Sequence, residues 1–287
     1  VTRHGFIGAG RLARSLALAL HAAGEAVAAV ASRSDASARE LALALQQAGG
    51  AATVLTPQAL ADQVDLIWIT STDAAIAPLT QALRWRAGQA VLHCSGATPL
   101  EALSAAQRQG ASVGGFHPLQ IFSDPGGVSL QGVRVAVEAP EPALHARLQA
   151  LARQLGMLPL SLPPGARALY HAAAGTAASA LLALLDEAQR LWAAAGLPPE
   201  QALPALLPLA RATLDVAQAR GLAGALSGPI SRGDAAVLAG HLQALAALPP
   251  EHACWYQALG RRQLALARQA GRLSSQQLTE LAALLAG

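Results

Sequence analysis

The feature that most limits how this chain can fold is its opening stretch, Arg3-His4-Gly5-Phe6-Ile7-Gly8-Ala9-Gly10-Arg11-Leu12-Ala13-Arg14-Ser15-Leu16. A short apolar run ends in Gly8-x-Gly10-x-x-Ala13, and a helix-forming Leu/Ala series follows. Gly8 permits a tight turn, Gly10 leaves room for backbone to approach a pyrophosphate, and Ala13 lets the helix pack close to the strand. An anion there would meet free N–H groups at the positive end of the helix dipole. An ordinary Gly-rich strand-to-helix turn would share these glycines, but the strand–turn–helix context favours a nucleotide. Gly8, Ala9, Gly10, Arg11 and Leu12 are the expected cofactor-binding turn.

The next buried strand is Val27–Ala31, after a stop at Gly24. An acidic residue at its end would bind the ribose 2′-hydroxyl of NAD. The chain has Ser32-Arg33-Ser34 instead. A guanidinium fork with two hydroxyls suits a 2′-phosphate, so these residues predict NADP. Asp35, one residue on, could still serve NAD, and Arg33 could be merely solvated. Ala36–Ala48 reads as a helix stopped by Gly49-Gly50, and Val64–Thr70 as the most apolar strand. It runs into Ser71-Thr72-Asp73, which can cap the following helix or border the cofactor beyond the strand ends. Ala90–Cys94 is a further strand, followed by Ser95 and a helix from Pro99 to the stop at Gly110. Strands Ala111–Pro118 and Val133–Glu138 and a helix over Pro140–Leu155 continue the pattern. This alternation predicts βαβ units in a doubly wound, mostly parallel α/β sheet.

Beyond Pro163-Pro164-Gly165 strand signals vanish. Helical patterns cover Arg167–Ala195, Pro198–Arg220, Ala235–Leu248, Glu251–Gln269 and Ser274–Leu285. Pro204 and Pro208 should kink or split the second. Gly228–Asp234 reads as a loop with Asp234 an N-cap, and Ser274–Gln277 has capping-box character. The expected organisation is therefore a nucleotide-binding domain over residues 1–160 and an all-α substrate and dimerisation domain over 161–287, with the boundary near Leu158–Gly165.

Composition narrows the chemistry. Of 287 residues, 53% are hydrophobic and only 3% aromatic, so the core must be built from small aliphatics. The 20 basic side chains are all arginine, which excludes a catalytic lysine. Net charge is +3 with arginines dispersed among acids, not the clustered footprint of nucleic-acid binding. Cys94 and Cys254 are too few and too far apart for a disulfide framework, which fits a reducing cytoplasm. Arg11 and Arg14 interrupt the N-terminal apolar stretch and argue against a signal peptide. Ala172–Leu185 is short for a bilayer span, so a soluble protein without a membrane partner is expected. No His/Cys/carboxylate set has metal-ligand spacing.

Hydride transfer requires one managed proton, and histidine suits that near neutral pH. His93 and His117 end predicted strands on the ligand side, His171 opens the long helix, and His241 follows the Gly228–Asp234 loop. Each could equally be structural or on the surface. His171 and His117 are the expected substrate contacts, with His171 the expected proton donor. Arg232 is the expected anchor for a substrate carboxylate. Cys94 next to His93 is not read as a nucleophilic pair, because adjacent strand residues face opposite ways.

With these residues in hand, the sequence resembles Rossmann-like bacterial proteins with a helical C-terminal domain of unknown function. These are similar to pyrroline-5-carboxylate reductases and, more distantly, to ketopantoate and β-hydroxyacid dehydrogenases. The matching stretches are Gly5–Ala13, Ala31–Ser34, His93–Ala97, Gly115–Phe122, Tyr170–Ala174 and Gly228–Asp234. The resemblance implies an NADP-linked oxidoreductase, dimeric through its helical domain. In the β-hydroxyacid dehydrogenases a lysine on the interdomain helix donates the proton. Here His171 stands near that place, and Ser179 stands where the closer family commonly has asparagine. The combined expectation is an NADPH-dependent reductase of the C=O or C=N bond of a small, anionic oxo- or imino-acid. The nicotinamide would lie near Ser71, Thr72 and Ser95. The alternatives are a non-catalytic NADP-binding sensor and a deazaflavin-dependent reductase.

Overall fold

The opening apolar run forms strand β1 (Arg3–Ile7), which passes through Gly8 into helix α1 (Arg11–Ala22). Alternation continues through β2 (Ala26–Ala31), α2 (Asp35–Gln47), β3 (Thr53–Val54), α3 (Pro57–Gln63), β4 (Leu66–Ile69), α4 (Asp73–Ala82) and β5 (Ala90–His93). A 3-10 turn over Leu100–Leu103 and helix α5 (Ser104–Arg108) lead into β6 (Ser112–Pro118). Then β7 (Arg134–Glu138), α6 (Pro142–Gln154) and β8 (Leu158–Ser161) complete the sheet. The computed structural model describes residues 2–286.

The strand order is β3-β2-β1-β4-β5-β6-β7-β8. Every neighbouring pair is parallel except β6 and β7, which run antiparallel. The doubly wound sheet expected from the sequence is present. Its order switches direction between β1 and β4, which opens a crevice beyond their carboxyl ends. The short pieces β3 and β8 have no periodic signature in the sequence. β8 also contains Pro159, which an outer strand tolerates because its ladder is incomplete. The sheet thus extends into the stretch where the sequence suggested a domain boundary.

Alternating side chains fill both faces of the sheet. Phe6, Trp68, Leu92 and Phe116 pack on one, and Ile7, Ile67, Ile69, Val91 and Val113 on the other. Aromatics are scarce, and four aromatic rings meet on the first face. Trp68 stacks on Phe6 at 6.0 Å and meets Phe116 edge-on at 5.2 Å between ring centroids. Its indole N–H donates to Nδ1 of buried His4 at 3.0 Å, so Nε2 of His4 carries the hydrogen given to Glu25 at 3.1 Å. Burial lowers the pKa of His4, consistent with that neutral tautomer.

The chain divides into two compact units, residues 1–176 and 177–287, within helix α7 (Arg167–Ala194). The second unit continues with α8 (Pro199–Ala225), α9 (Pro229–Arg232), α10 (Ala235–Leu245), α11 (Pro250–Ala270) and α12 (Ser275–Leu284). Ile230, Leu238, Leu264, Ala267, Leu281 and Leu285 form its core. Asp234 accepts from the Val237 N–H at 3.1 Å, and Ser274 with Gln277 makes the capping box. Two details differ from the sequence expectation. Helix α8 keeps helical backbone at Pro204 and Pro208 and breaks at Gly221 (φ 71°, ψ 168°). Both prolines are exposed, so carbonyls they leave unbonded can take water. Part of the Gly228–Asp234 loop is helical, started by Pro229 at the first helical position, where no N–H is required.

Trp68→Phe should keep the ring packing but strand Nδ1 of His4 in the core. A loss of about 1–3 kcal/mol in urea unfolding is expected. An unchanged midpoint would mean the indole bond contributes nothing.

Candidate functional site

At the β1–α1 turn Gly8 has φ +118°, and a Cβ there would lie 2.6 Å from the Thr70 carbonyl carbon. A side chain is excluded both by conformation and by the close passage of β4. The Thr70 hydroxyl donates to the Gly8 carbonyl at 3.0 Å and ties the two strand ends together. A Cβ on Gly10 would meet nothing within 4 Å, so the turn is open on its outer side. Gly10 is the N-cap and offers no side chain to the first-turn N–H groups, while Ala13 is fully buried against the sheet. The open N–H groups face outward with the positive end of the helix dipole.

At the end of β2 the hydroxyl of Ser34 accepts from the Ser37 N–H at 3.3 Å and caps α2. Ser32 accepts from the Ser34 N–H at 3.3 Å. Arg33 between them is exposed, and its guanidinium has no side-chain partner among the described residues. Asp35 is engaged one helical turn on by Arg39 at 2.6 Å.

Beyond the carboxyl ends of β1, β4, β5 and β6 lies a cavity of about 300 Å³. Leu12, Thr70, Ser71, Asp73, Gly96, His117 and His171 are among its lining residues. Thr72 is the N-cap of α4 but makes no side-chain cap bond, so the capping role considered for its hydroxyl is not taken up. Ser71 makes only a long 3.4 Å bond to the Thr72 carbonyl. Ser95 is more committed: its hydroxyl accepts from the N–H groups of Ala97 at 3.2 Å and Thr98 at 2.8 Å, and donates to Thr98 Oγ1 at 2.9 Å.

His117 and His171 meet over Gly96. A Cβ on Gly96 would fall 2.6 Å from His171 Cδ2 and 2.7 Å from His117 Nε2. The absence of that Cβ lets both rings edge into the cavity. His117 Nδ1 lies 2.7 Å from the Tyr170 hydroxyl. The helix that carries Tyr170 and His171 begins at buried Arg167. Its Nε is 3.0 Å from a Glu138 carboxylate oxygen, and its Nη1 donates to the Ser95 carbonyl at 2.6 Å.

Burial and the Arg167 charge hold His117 and His93 neutral. His117 is pushed down to about 4, first by desolvation, then by Arg167 and His171, with Asp73 acting the other way. His93 is pushed down to about 3 by complete burial, Arg167 and His117, and neither ring nitrogen has a partner. Cys94 packs in the core cluster of Trp68 and reaches the cavity wall, and burial pushes its thiol far above the ordinary range, which disfavours a thiolate. Arg232 ends α9 and is exposed in the helical unit. His241 is there too, with Nδ1 2.7 Å from the Tyr256 hydroxyl. Among the described residues no group of three or more His, Cys, Asp or Glu could hold a metal ion.

Family models match this arrangement in two parts. A Rossmann-like domain matches residues 2–118, and a domain of unknown function, DUF2520, matches residues 133–263. The DUF2520 segment begins inside the sheet, just before β7, and so contributes Glu138, Arg167, Tyr170 and His171 to the first unit. No curated protein matches the sequence significantly. Among solved structures, a "putative NADP oxidoreductase" from Bacteroides fragilis is 26% identical with a TM-score of 0.68, covering 94% of this chain and 97% of that one. A reductive aminase from Aspergillus terreus, in complex with NADPH and ethyl levulinate, is 17% identical with a TM-score of 0.61, covering 100% and 93%. A 1-pyrroline-5-carboxylate reductase from Streptococcus pyogenes is also 17% identical with a TM-score of 0.61, covering 95% and 99%. At 17% identity the last two show a shared fold.

The sequence pointed to His117 and His171 as site residues; Gly96 and Tyr170 stood in matching stretches with no role attached, and Glu138 and Arg167 stood in no such stretch. The only local signal was the placement of Arg167, Tyr170 and His171 at helical spacing on one face.

The buried imidazoles make stability depend on pH. His93 and His117 have folded pKa values of about 3 and 4 against 6.5 for the free side chain, so the unfolded chain binds more protons between those limits. Their stabilisation is complete above pH 6.5 and is lost as pH falls toward 4. Urea unfolding at pH 7 and pH 4.5 should show this decline, and His93→Gln should flatten it. An equal decline in the variant would remove His93 as a cause.

Proposed function

We propose that this protein is an NADP(H)-dependent reductase acting on the C=O or C=N bond of a small oxo- or imino-acid. One observation carries the proposal: the open helix-start turn and the two-histidine cavity are contiguous, since Leu12 of the turn also lines the cavity. A dinucleotide fits what is present. Gly8 keeps the turn tight against Thr70, Gly10 leaves its outer side open, and the first-turn N–H groups would receive the pyrophosphate. Gly8, Ala9, Gly10, Arg11 and Leu12 would form that cradle. Arg33 would take the 2′-phosphate, with Ser32 and Ser34 shaping its turn. The engagement of Asp35 by Arg39 favours NADP over NAD. The NADPH complex of the similarly folded reductase from A. terreus supports the same choice.

When bound, the nicotinamide supplies hydride. The chain's own residues would do the rest: Ser71, Thr72 and Ser95 border the ring, and His117 and His171 contact the substrate. Helix start, free guanidinium and the two imidazoles in the cavity together suit reduction better than binding alone.

The helical unit supports a homodimer. In α7 and α8, Leu182 is 68% exposed, Leu209 65% and Leu222 67%. Helix α7 is long and apolar enough to cross a membrane, with an 18-residue window of mean hydropathy 1.5. However, its first residue is the buried Arg167, and its last turns carry Asp186–Arg190 and Glu187–His252 pairs. A second copy of the chain covers such a face better than lipid does. Both cysteines are free, in keeping with a reducing cytoplasmic setting.

Arg33→Ala should weaken NADPH binding about tenfold or more and NADH binding little, measured by nucleotide fluorescence. Equal losses would refute the 2′-phosphate role. Oxidation of NADPH should be detected with at least one member of a panel of 2-oxo acids and cyclic imines. Tight binding without turnover across the panel would leave a nucleotide sensor instead.

A further inference from the structure

We propose that His117, as a neutral imidazole, gives the substrate oxygen its proton and is resupplied by the phenol of Tyr170, so that the bond reduced is C=O. This rests on the reductase function proposed above and narrows its substrate class to ketones, such as 2-oxo acids.

The geometry assigns each hydrogen. The Tyr170 hydroxyl lies 2.7 Å from His117 Nδ1, and it has no other protein partner among the described residues. The phenol is the stronger acid and a neutral imidazole nitrogen the stronger acceptor, so the O–H donates and Nδ1 accepts. The hydrogen of neutral His117 then sits on Nε2. That nitrogen packs beside Gly96, in the space a Cβ would need, and His117 and Gly96 both line the cavity. His117 therefore presents an N–H, not a lone pair, to whatever fills the cavity. The groups facing it are Tyr170, His171 and Arg167 from α7, His93 from β5 and Asp73 from α4. Desolvation and the guanidinium keep it unprotonated near neutrality.

The step balances. When a ketone carbon accepts hydride, the C=O π pair moves onto oxygen. The oxygen takes the Nε2 hydrogen as Nδ1 takes the phenol hydrogen. Imidazole is restored as the other tautomer, and Tyr170 is left as tyrosinate. Solvent then returns one proton, and the imidazole hydrogen returns to Nε2 as the Tyr170 hydroxyl reforms. One hydride and one proton enter, and one alcohol leaves. Burial raises the pKa of Tyr170 and the charge of Arg167 lowers it, so the guanidinium stabilises the transient tyrosinate. An iminium carbon that accepts hydride becomes a neutral amine and asks for no proton. A carbonyl carries no such proton beforehand and must be given one, which is what this relay supplies.

The test begins without substrate. Nitrogen-15 NMR of the histidine-labelled full chain at pH 7, with His117 assigned by its loss in His117→Asn, should show the neutral Nε2–H tautomer. Tyr170→Phe should release Nδ1 and give a tautomer mixture. An Nδ1–H tautomer or an imidazolium in the wild type would overturn the relay, as would no change in Tyr170→Phe. In turnover, Tyr170→Phe should lower kcat about 100-fold or more on any ketone of a panel of pyruvate, 2-oxobutyrate and 2-oxoglutarate. It should leave NADPH affinity, read by nucleotide fluorescence, unchanged. A full-rate Tyr170→Phe enzyme with a silent His171→Ala would move the proton to His171. Failure of the reductase function is separate: it would show as NADPH oxidation with no member of either panel, while the NMR result still decides the hydrogen-bond direction.

Discussion

The buried guanidinium of Arg167 is the interaction on which the site depends. A charge removed from water is tolerated only when it is paired and its hydrogen bonds are met. Glu138 and the Ser95 carbonyl meet them. Arg167 opens a helix, where a positive charge opposes the dipole, so local helix stability does not explain its position. Its effect is to fasten three pieces: the start of α7, the loop after β5, and β7. Tyr170 and His171 follow at three and four residues, on the same helix face, and are carried to the cavity. The same charge, after burial, disfavours protonation of His93 and His117, so one side chain both places His171 and helps keep its two neighbours neutral.

The register of β7 fixes where the carboxylate lies. In the antiparallel β6–β7 pair Glu138 lies opposite Gly115, next to the carboxyl half of β6 that carries His117. The switch between β1 and β4 supplies the crevice, and Gly8 and Thr70 hold its two walls in contact. Anion turn and histidine cavity are thus products of one topology.

The helical unit obeys a different balance. Its core of six buried aliphatic residues lies among α9 to α12, while α7 and α8 turn leucines outward. A chain with so few aromatics gains its packing from many small contacts, and long apolar helices left uncovered call for a partner surface. The proposed dimer would provide one.

Much of this was legible in the residues. The period of the apolar runs and the Gly8-x-Gly10 spacing specify strand, turn and helix, because those depend on local sterics and on burial of one face. The pairing of Ser274 with Gln277 and the cap at Asp234 are equally local. β3 and β8 were not legible, being too short for a period and formed by pairing with distant strands. The kink in α8 follows Gly221 rather than the prolines, since solvent can satisfy carbonyls on an exposed side. The sequence by itself determined the α/β class, the nucleotide-type turn and the supply of histidines. Only the tertiary structure decided which of them act together. Glu138, Ser95, Gly96, His117, Arg167 and Tyr170 are brought together across as many as 75 positions of chain by strand order and close packing, and neither is written in any local pattern.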